Sequence, residues 1–148
     1  MTSTNTLTTQ DPDLKFFKEI KNELSFMSTR KMIYLVRNVL SHIRSSLSYS
    51  QISEVINKMP SLFQLVFISN WRYEDNRRNI IHLDELVESI YEEDQKNHKP
   101  LFKSEIEVLS GVIVVLNSLN KFFGLFGITA FPYLLLQELQ QAVQEDAA

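Results

Sequence analysis

The sequence predicts an all-α protein, a compact helical bundle assembled from two similar fused units of three to four helices each. Three observations lead there. Apolar residues recur at helical rather than alternating spacing along most of the chain. Only three Gly and four Pro punctuate 148 residues, which is few for a fold of many short strands. A set of apolar stripes and a proline in the first half also returns, in the same order, in the second.

The elements follow in order. Residues 1–10, polar and uncharged, read as a disordered tail. One helical domain is expected over 11–143: unit one at about 13–71, a connector at 72–81 and unit two at about 82–143. Residues 144–148 form a second tail. Asp11-Pro12 marks a helix start, with Asp as the cap and Pro at the first helical position, where its missing N–H is harmless. Leu14, Phe17, Ile20 and Leu24 then form one apolar face. A second helix from about Ser28 carries the stripe Ile33, Val36, Leu40, Ile43 and Leu47, widened by Leu35 and Val39. Ser48 with Gln51 is a capping-box pattern that stops this helix and starts a third, whose inner face is Ile52, Val55 and Ile56. Pro60 opens a fourth helix with Leu62, Phe63, Val66 and Phe67 inward. Asn70 tolerates the left-handed turn that ends it, and Trp71 folds back over the end.

The second half repeats this plan. Ile106, Leu109, Ile113 and Leu116 stand 73 residues after Ile33, Val36, Leu40 and Ile43, and Val108 and Val112 match Leu35 and Val39. Phe131-Pro132-Tyr133-Leu134-Leu135 stands 72 residues after Met59-Pro60-Ser61-Leu62-Phe63. Leu86, Val87 and Ile90 stand 70 after Phe16, Phe17 and Ile20. Stripes and proline in one order predict an internal duplication. Ile52 and Val55 fall opposite Gly124 and Gly127, so the third helix of the second copy is expected to be short or irregular, since Gly costs roughly 1 kcal/mol against Ala inside a helix.

Residues 35–71 resemble a bacterial family of paired helical units. That family sets a "Leu-Pro-x-Leu-Leu-Arg-Gly-x-Tyr-x-x-Gly-Trp" segment after a "Leu-x-x-Leu-x-x-Leu" helix. Here the segment reads "MPSLFQLVFISNW", with Pro60, Leu62 and Trp71 in place. Phe67 stands for the Tyr and Asn70 for the Gly, while Gln64-Leu65 replaces Arg-Gly. The resemblance implies an all-helical fold and a bacterial origin, and it brings no activity with it.

Composition narrows the function classes. The chain has no Cys, which removes disulfides and thiolate metal sites and suits a reducing cytoplasm. Its start lacks the basic and apolar regions of a secretory signal. The net charge of −3 argues against general nucleic-acid binding. That charge is unevenly spread, at +4 over residues 1–81 (11 Lys/Arg, 7 Asp/Glu) and −7 over 82–148 (4 and 11). Such asymmetry can steer a dimer head to tail, although two solvated faces explain it as simply. Joining the uncharged runs 108–120 and 122–137 to span a bilayer would bury Lys121 and break at Pro132, so no membrane span is expected.

Chemistry has little foothold. His42, His82 and His98 make no His-x-x-x-His or Glu-x-x-His pattern, and the three glycines make no phosphate loop. His82-x-x-Glu85 with Asp84, Glu88, Glu92, Glu93 and Asp94 reads as a solvated outer helix face rather than a metal site. His42, beside a buried stripe, reads as structural. No catalytic residue, metal or cofactor is assigned. The expected function is a non-enzymatic binding or scaffold module that self-associates, a homodimer first. Phe122, Phe123, Leu125 and Phe126 are the candidate interface in a segment rich in apolar residues. The alternative is a small-ligand binder or enzyme with a pocket between the two units. A third reading places nucleic-acid contact at residues 70–79, where Trp71 and Tyr73 interleave with Arg72, Arg77 and Arg78 as stacking and phosphate groups do.

Overall fold

The computed structural model describes residues 12–59, 64, 80, 82–124 and 133–147. Among the described residues there are six helices and no strand: α1 (Pro12–Glu23), α2 (Thr29–Ser45), α3 (Tyr49–Lys58), α4 (Leu83–Gln95), α5 (Glu105–Phe123) and α6 (Tyr133–Ala147). The chain is thus all-α, a compact helical bundle. Helix α5 is the hub, packing on α1, α2, α4 and α6, while α2 also packs on α1 and α4.

Local sequence sets most of the helix ends. Pro12 occupies the first position of α1, as expected of a residue with no N–H to leave orphaned. Ser28 caps α2 by accepting the Lys31 N–H at 3.1 Å. The Ser48 capping box forms in both directions: the Ser48 hydroxyl accepts the Gln51 N–H at 3.3 Å, and the Gln51 side chain accepts the Ser48 N–H at 2.7 Å. At the far end of α3, the Gln64 amide donates to the carbonyls of Ile56 (3.0 Å) and Met59 (2.9 Å). Gln64 is therefore engaged inside the chain at the end of α3, where the Ile56 carbonyl also accepts the Met59 N–H at 3.0 Å. Gly124 ends α5 at φ 65°, ψ 35°, with its N–H on the Asn120 carbonyl at 2.8 Å, a left-handed cap that a Cβ disfavours. Residues 125–130, where a short or irregular helix was expected, lie outside the described residues. Helix α6 runs on to Ala147, past its last apolar inner residue, Val143.

The core is built from the predicted stripes with local revisions. On α1 the fully buried residues are Phe16, Ile20 and Leu24, and Phe17 is only half-buried. Spacing of four keeps Phe16 in line with Ile20 and Leu24, whereas Phe17 falls to the flank. Phe16 stacks edge-on against Phe122 of α5, with centroids 6.2 Å apart and planes at 87°. Truncating a fully buried Phe of this kind costs about 3–5 kcal/mol. Leu35, Val39 and Ile43 of α2 are buried, as are Val108, Val112 and Leu116, their counterparts 73 residues on. Val36 and Leu40 are also buried, yet Ile33 at the head of that stripe is 41% exposed. Likewise Ile106 and Leu109 at the head of the α5 stripe are 74% and 36% exposed. Periodicity assigned all three inward, but in the same turns Met32 and Leu35 of α2 and Val108 of α5 are the buried residues, so Ile33, Ile106 and Leu109 fall on the flank or outer side of their helices. Gly111 lets α5 approach α2 closely, its Cα facing the buried Leu35 side chain and Met27. Lys31 of α2 and Glu107 of α5 tie the same pair of helices with a largely buried 2.8 Å ion pair.

Among the described residues no helix is long and apolar enough to cross a membrane.

Candidate functional site

The site grows from one buried carboxylate. Asp94 was grouped by sequence with the outer acids of α4, but it is fully buried and faces inward from the last turn. It has positional reasons to do so. Asp94 continues the inner line of Leu83, Leu86, Val87 and Ile90, and the chain beyond it turns back over the helix end. Its Oδ1 accepts the Leu101 N–H (3.1 Å) and the Tyr34 hydroxyl (3.1 Å), and its Oδ2 accepts the Phe102 N–H (2.9 Å). A buried carboxylate needs such donors, and here they close the loop between α4 and α5 onto α2. Burial comes first, with the Asp94 charge and hydrogen bond after it, in holding the Tyr34 phenol above its ordinary value, so the hydroxyl stays a proton donor. Asn97 adds a hydrogen bond to the same hydroxyl at 2.9 Å. Phe102 packs beneath against the Tyr34 ring, with centroids 5.8 Å apart.

This knot fixes one wall of a groove of about 620 Å³ between α2 and the loop, lined by Thr29, Arg30, Ile33, Tyr34, Arg37, Asn97, Lys99 and Leu101. Arg30, Ile33 and Arg37 share a face of α2 through their spacing, while Lys99 and Leu101 come from the loop. The groove therefore joins an apolar floor (Ile33, Leu101, the Tyr34 ring) to three exposed cations and contains no acid. Among the described residues none of the three cations lies within ion-pair distance of a carboxylate.

A second surface has the opposite sign. Asp84, Glu88 and Glu92 lie four residues apart along exposed α4, and Glu105 begins α5 beside them. The Glu88 carboxyl is held above the usual carboxylate range, first by a hydrogen bond with Glu92, then by the Glu92 charge and by desolvation, with smaller contributions from Glu105 and Asp84. Like charges are crowded here rather than neutralised. Leu109, 36% exposed, stands one turn beyond Glu105 on α5, and exposed Ile106 directly follows Glu105 in the chain, so this acidic ridge also has an apolar edge.

The remaining candidates from the sequence are placed differently. His42 is fully buried; its Nδ1 donates to the Asn38 carbonyl at 2.7 Å. Its Nε2 lies 3.3 Å from the Glu93 carboxylate, in ion-pair range yet off the hydrogen-bond direction. Ser41 and Ser45 turn their hydroxyls to carbonyls of their own helix, so the imidazole has a packing environment and not a nucleophile's. His82 belongs to a helix junction. Its N–H is accepted by Glu85 at 2.9 Å, and its ring sits 3.0 Å from Glu138 of α6, which also accepts the Leu83 N–H at 2.8 Å. His98 is exposed in the loop. Among the described residues no group of three or more His, Asp or Glu side chains is arranged to hold a metal. A smaller cleft of about 340 Å³ near Glu19 and Lys121 is bridged by their ion pair.

Of the candidate interface, Phe122 is half-buried against Phe16, with the Lys121 ammonium 5.6 Å from its ring centre, so much of its surface is used within the chain. Phe123 ends α5, and its side chain lies outside the described residues, as do Leu125 and Phe126. The polar candidates Trp71, Arg72, Tyr73, Arg77 and Arg78 also lie outside the described residues. Sequence reasoning missed the groove. The spacing Arg30–Ile33–Arg37 was a usable signal, two cations flanking an isoleucine on one helical face, but Lys99 and Leu101 join it only through the fold. No protein-family model matches the chain, and no curated protein sequence matches it.

Proposed function

We propose that the protein is a non-enzymatic binding or scaffold module of two duplicated helical units that works by associating with itself. The observation that carries this reading is the pair of exposed isoleucines. Ile33 and Ile106 hold corresponding places in the two repeated stripes, and both stay outside while Val36, Leu40 and Ile43 of the first stripe and Leu116 of the second are buried. Each sits among unneutralised charge, basic around Ile33 and acidic around Ile106. Exposed apolar side chains ringed by charge are the usual makings of a protein contact. The equal burial of Leu35 and Val108, of Val39 and Val112, and of Ile43 and Leu116 supports the duplication. A bacterial, cytoplasmic setting belongs to the same proposal and rests on the motif resemblance and on a chain built without cysteine.

Sedimentation velocity across a micromolar to submillimolar series tests the reading. A sedimentation coefficient that rises with concentration, dimer first, is the expected result; a monomer at every concentration would remove it. A second reading, a small anionic ligand in the groove, is favoured by the groove's volume and by its place between residues of the two units. Protection of the fold by small polyanions in a thermal melt, lost when Arg30 and Arg37 are neutralised, would support that reading instead.

A further inference from the structure

We infer that the basic groove is a socket for a second copy of this chain, which enters it with the acidic ridge, so that copies associate head to tail. The inference rests on the self-association proposed above and specifies its geometry. The two surfaces match in kind. The socket offers Arg30, Arg37 and Lys99 around Ile33 and Leu101, and the ridge offers Glu88, Glu92 and Glu105 beside Ile106 and Leu109. Each apolar centre is bordered by charge of one sign, and the two signs are opposite.

Electrostatics also rejects the pairing of like with like. Socket against socket would bring two sets of three cations together, and ridge against ridge would oppose two rows of carboxylates. Like-charge juxtaposition across an interface is strongly unfavourable, whereas ridge against socket relieves crowding that the ridge already suffers when alone. Position permits the asymmetric pairing. The two surfaces share no residue, the socket being lined by α2 and the loop after α4 and the ridge by α4 and the first turn of α5. One copy can then use both surfaces at once. The socket is also held ready, because Asp94 ties the loop bearing Lys99 and Leu101 to Tyr34 of α2. Such a contact is heterologous: the first dimer keeps one free socket and one free ridge, and further copies add until the rotation closes a ring or a filament grows. Association should weaken steeply with salt, since charges at the rim of both surfaces are screened over about 8 Å at physiological ionic strength.

Two full-length variants separate the possibilities, with circular dichroism melts confirming that each is folded. Arg30→Glu with Arg37→Glu destroys the socket and leaves the ridge. Glu88→Gln with Glu92→Gln and Ile106→Asn disables the ridge and leaves the socket. All five side chains are exposed. Each variant alone should self-associate at least tenfold more weakly than the unmodified chain. An equimolar mixture should form a dimer that grows no further, because one intact ridge meets one intact socket and both outer ends are blocked. If the unmodified chain associates and either variant alone does so equally well, head-to-tail docking is wrong while self-association survives. Folded variants that fail to pair on mixing would likewise overturn the docking. An unmodified chain that is monomeric throughout removes the underlying reading and this inference with it. So does a monomer that binds a single-stranded oligonucleotide through Arg30 and Arg37, which would assign the socket to another partner.

Discussion

Replacing Asp94 by Ala should destabilise the fold by about 3 kcal/mol and open the groove. The magnitude follows from the groups left behind. Two backbone N–H groups, of Leu101 and Phe102, lose a charged acceptor at 3.1 and 2.9 Å, and the Tyr34 hydroxyl loses one at 3.1 Å. Hydrogen bonds to a charged group are worth about 1.5–3 kcal/mol each, so the two backbone bonds alone account for about 3–6 kcal/mol. Removing a carboxylate from a fully buried position returns part of its desolvation cost, which brings the net towards the lower end. Against a typical total of about 5–15 kcal/mol, such a loss is large. Urea unfolding followed by circular dichroism measures it as a lower midpoint at unchanged slope. Tyr34→Phe removes only the hydroxyl and should cost about 1 kcal/mol. An Asp94→Ala loss under about 1 kcal/mol, within the range of an ordinary surface change, would refute the reasoning, because the loop would then be held by something other than this carboxylate.

Three further outcomes are expected. Gly111→Ala would drive a Cβ into the side chain of fully buried Leu35, with Met27 Cε at 3.6 Å leaving little room to yield, and should cost about 1–3 kcal/mol; an unchanged melting temperature would show that α2 and α5 do not cross so closely. Gly124→Ala meets no atom within 4 Å, so its cost of about 1 kcal/mol comes from the positive φ alone, and Gly124→Asn should lose less. The His82–Glu138 junction should be pH-dependent at both ends. His82 is held above its ordinary 6.5, first by the hydrogen bond to Glu138, so its contribution is complete below 6.5 and is lost as pH rises through the higher folded value. Glu138 is held below 4.5, first by the Leu83 N–H, so its contribution is present above 4.5 and is lost as pH falls through the lower folded value. The melting-temperature gap between the unmodified chain and Glu138→Gln should therefore be widest between about pH 4.5 and 6.5, and a gap that is flat across pH would rule out the coupling.

Much of the helix plan was legible because its causes are local. The Ser48 capping box needs only residues three apart, and Pro12 acts through its own ring. Leu35, Val39 and Ile43 announce a buried face through spacing alone, and their counterparts Val108, Val112 and Leu116 do so again. Periodicity says which residues share a face, and that is where its reach stops. It placed Phe17 with the core where Phe16 belongs, and it placed Ile33 and Ile106 inside, because spacing cannot report which edge of a broad apolar stripe the neighbouring helices cover.

Asp94 shows the same limit for polar groups. Six acids along α4 look alike as a run, but only one meets the N–H groups of a loop that returns over the helix end. The sequence by itself determined the all-helical class, most helix boundaries, the composition of the core and the unequal charge of the two halves. Those follow from hydrogen bonding, capping and burial within a few residues of one another. The tertiary structure alone decided which apolar residues remain outside, which acid is buried, and that Arg30, Arg37 and Lys99 surround one groove. Each of these depends on distances between segments that are far apart in the chain, set by the joint packing of α2, α4 and α5.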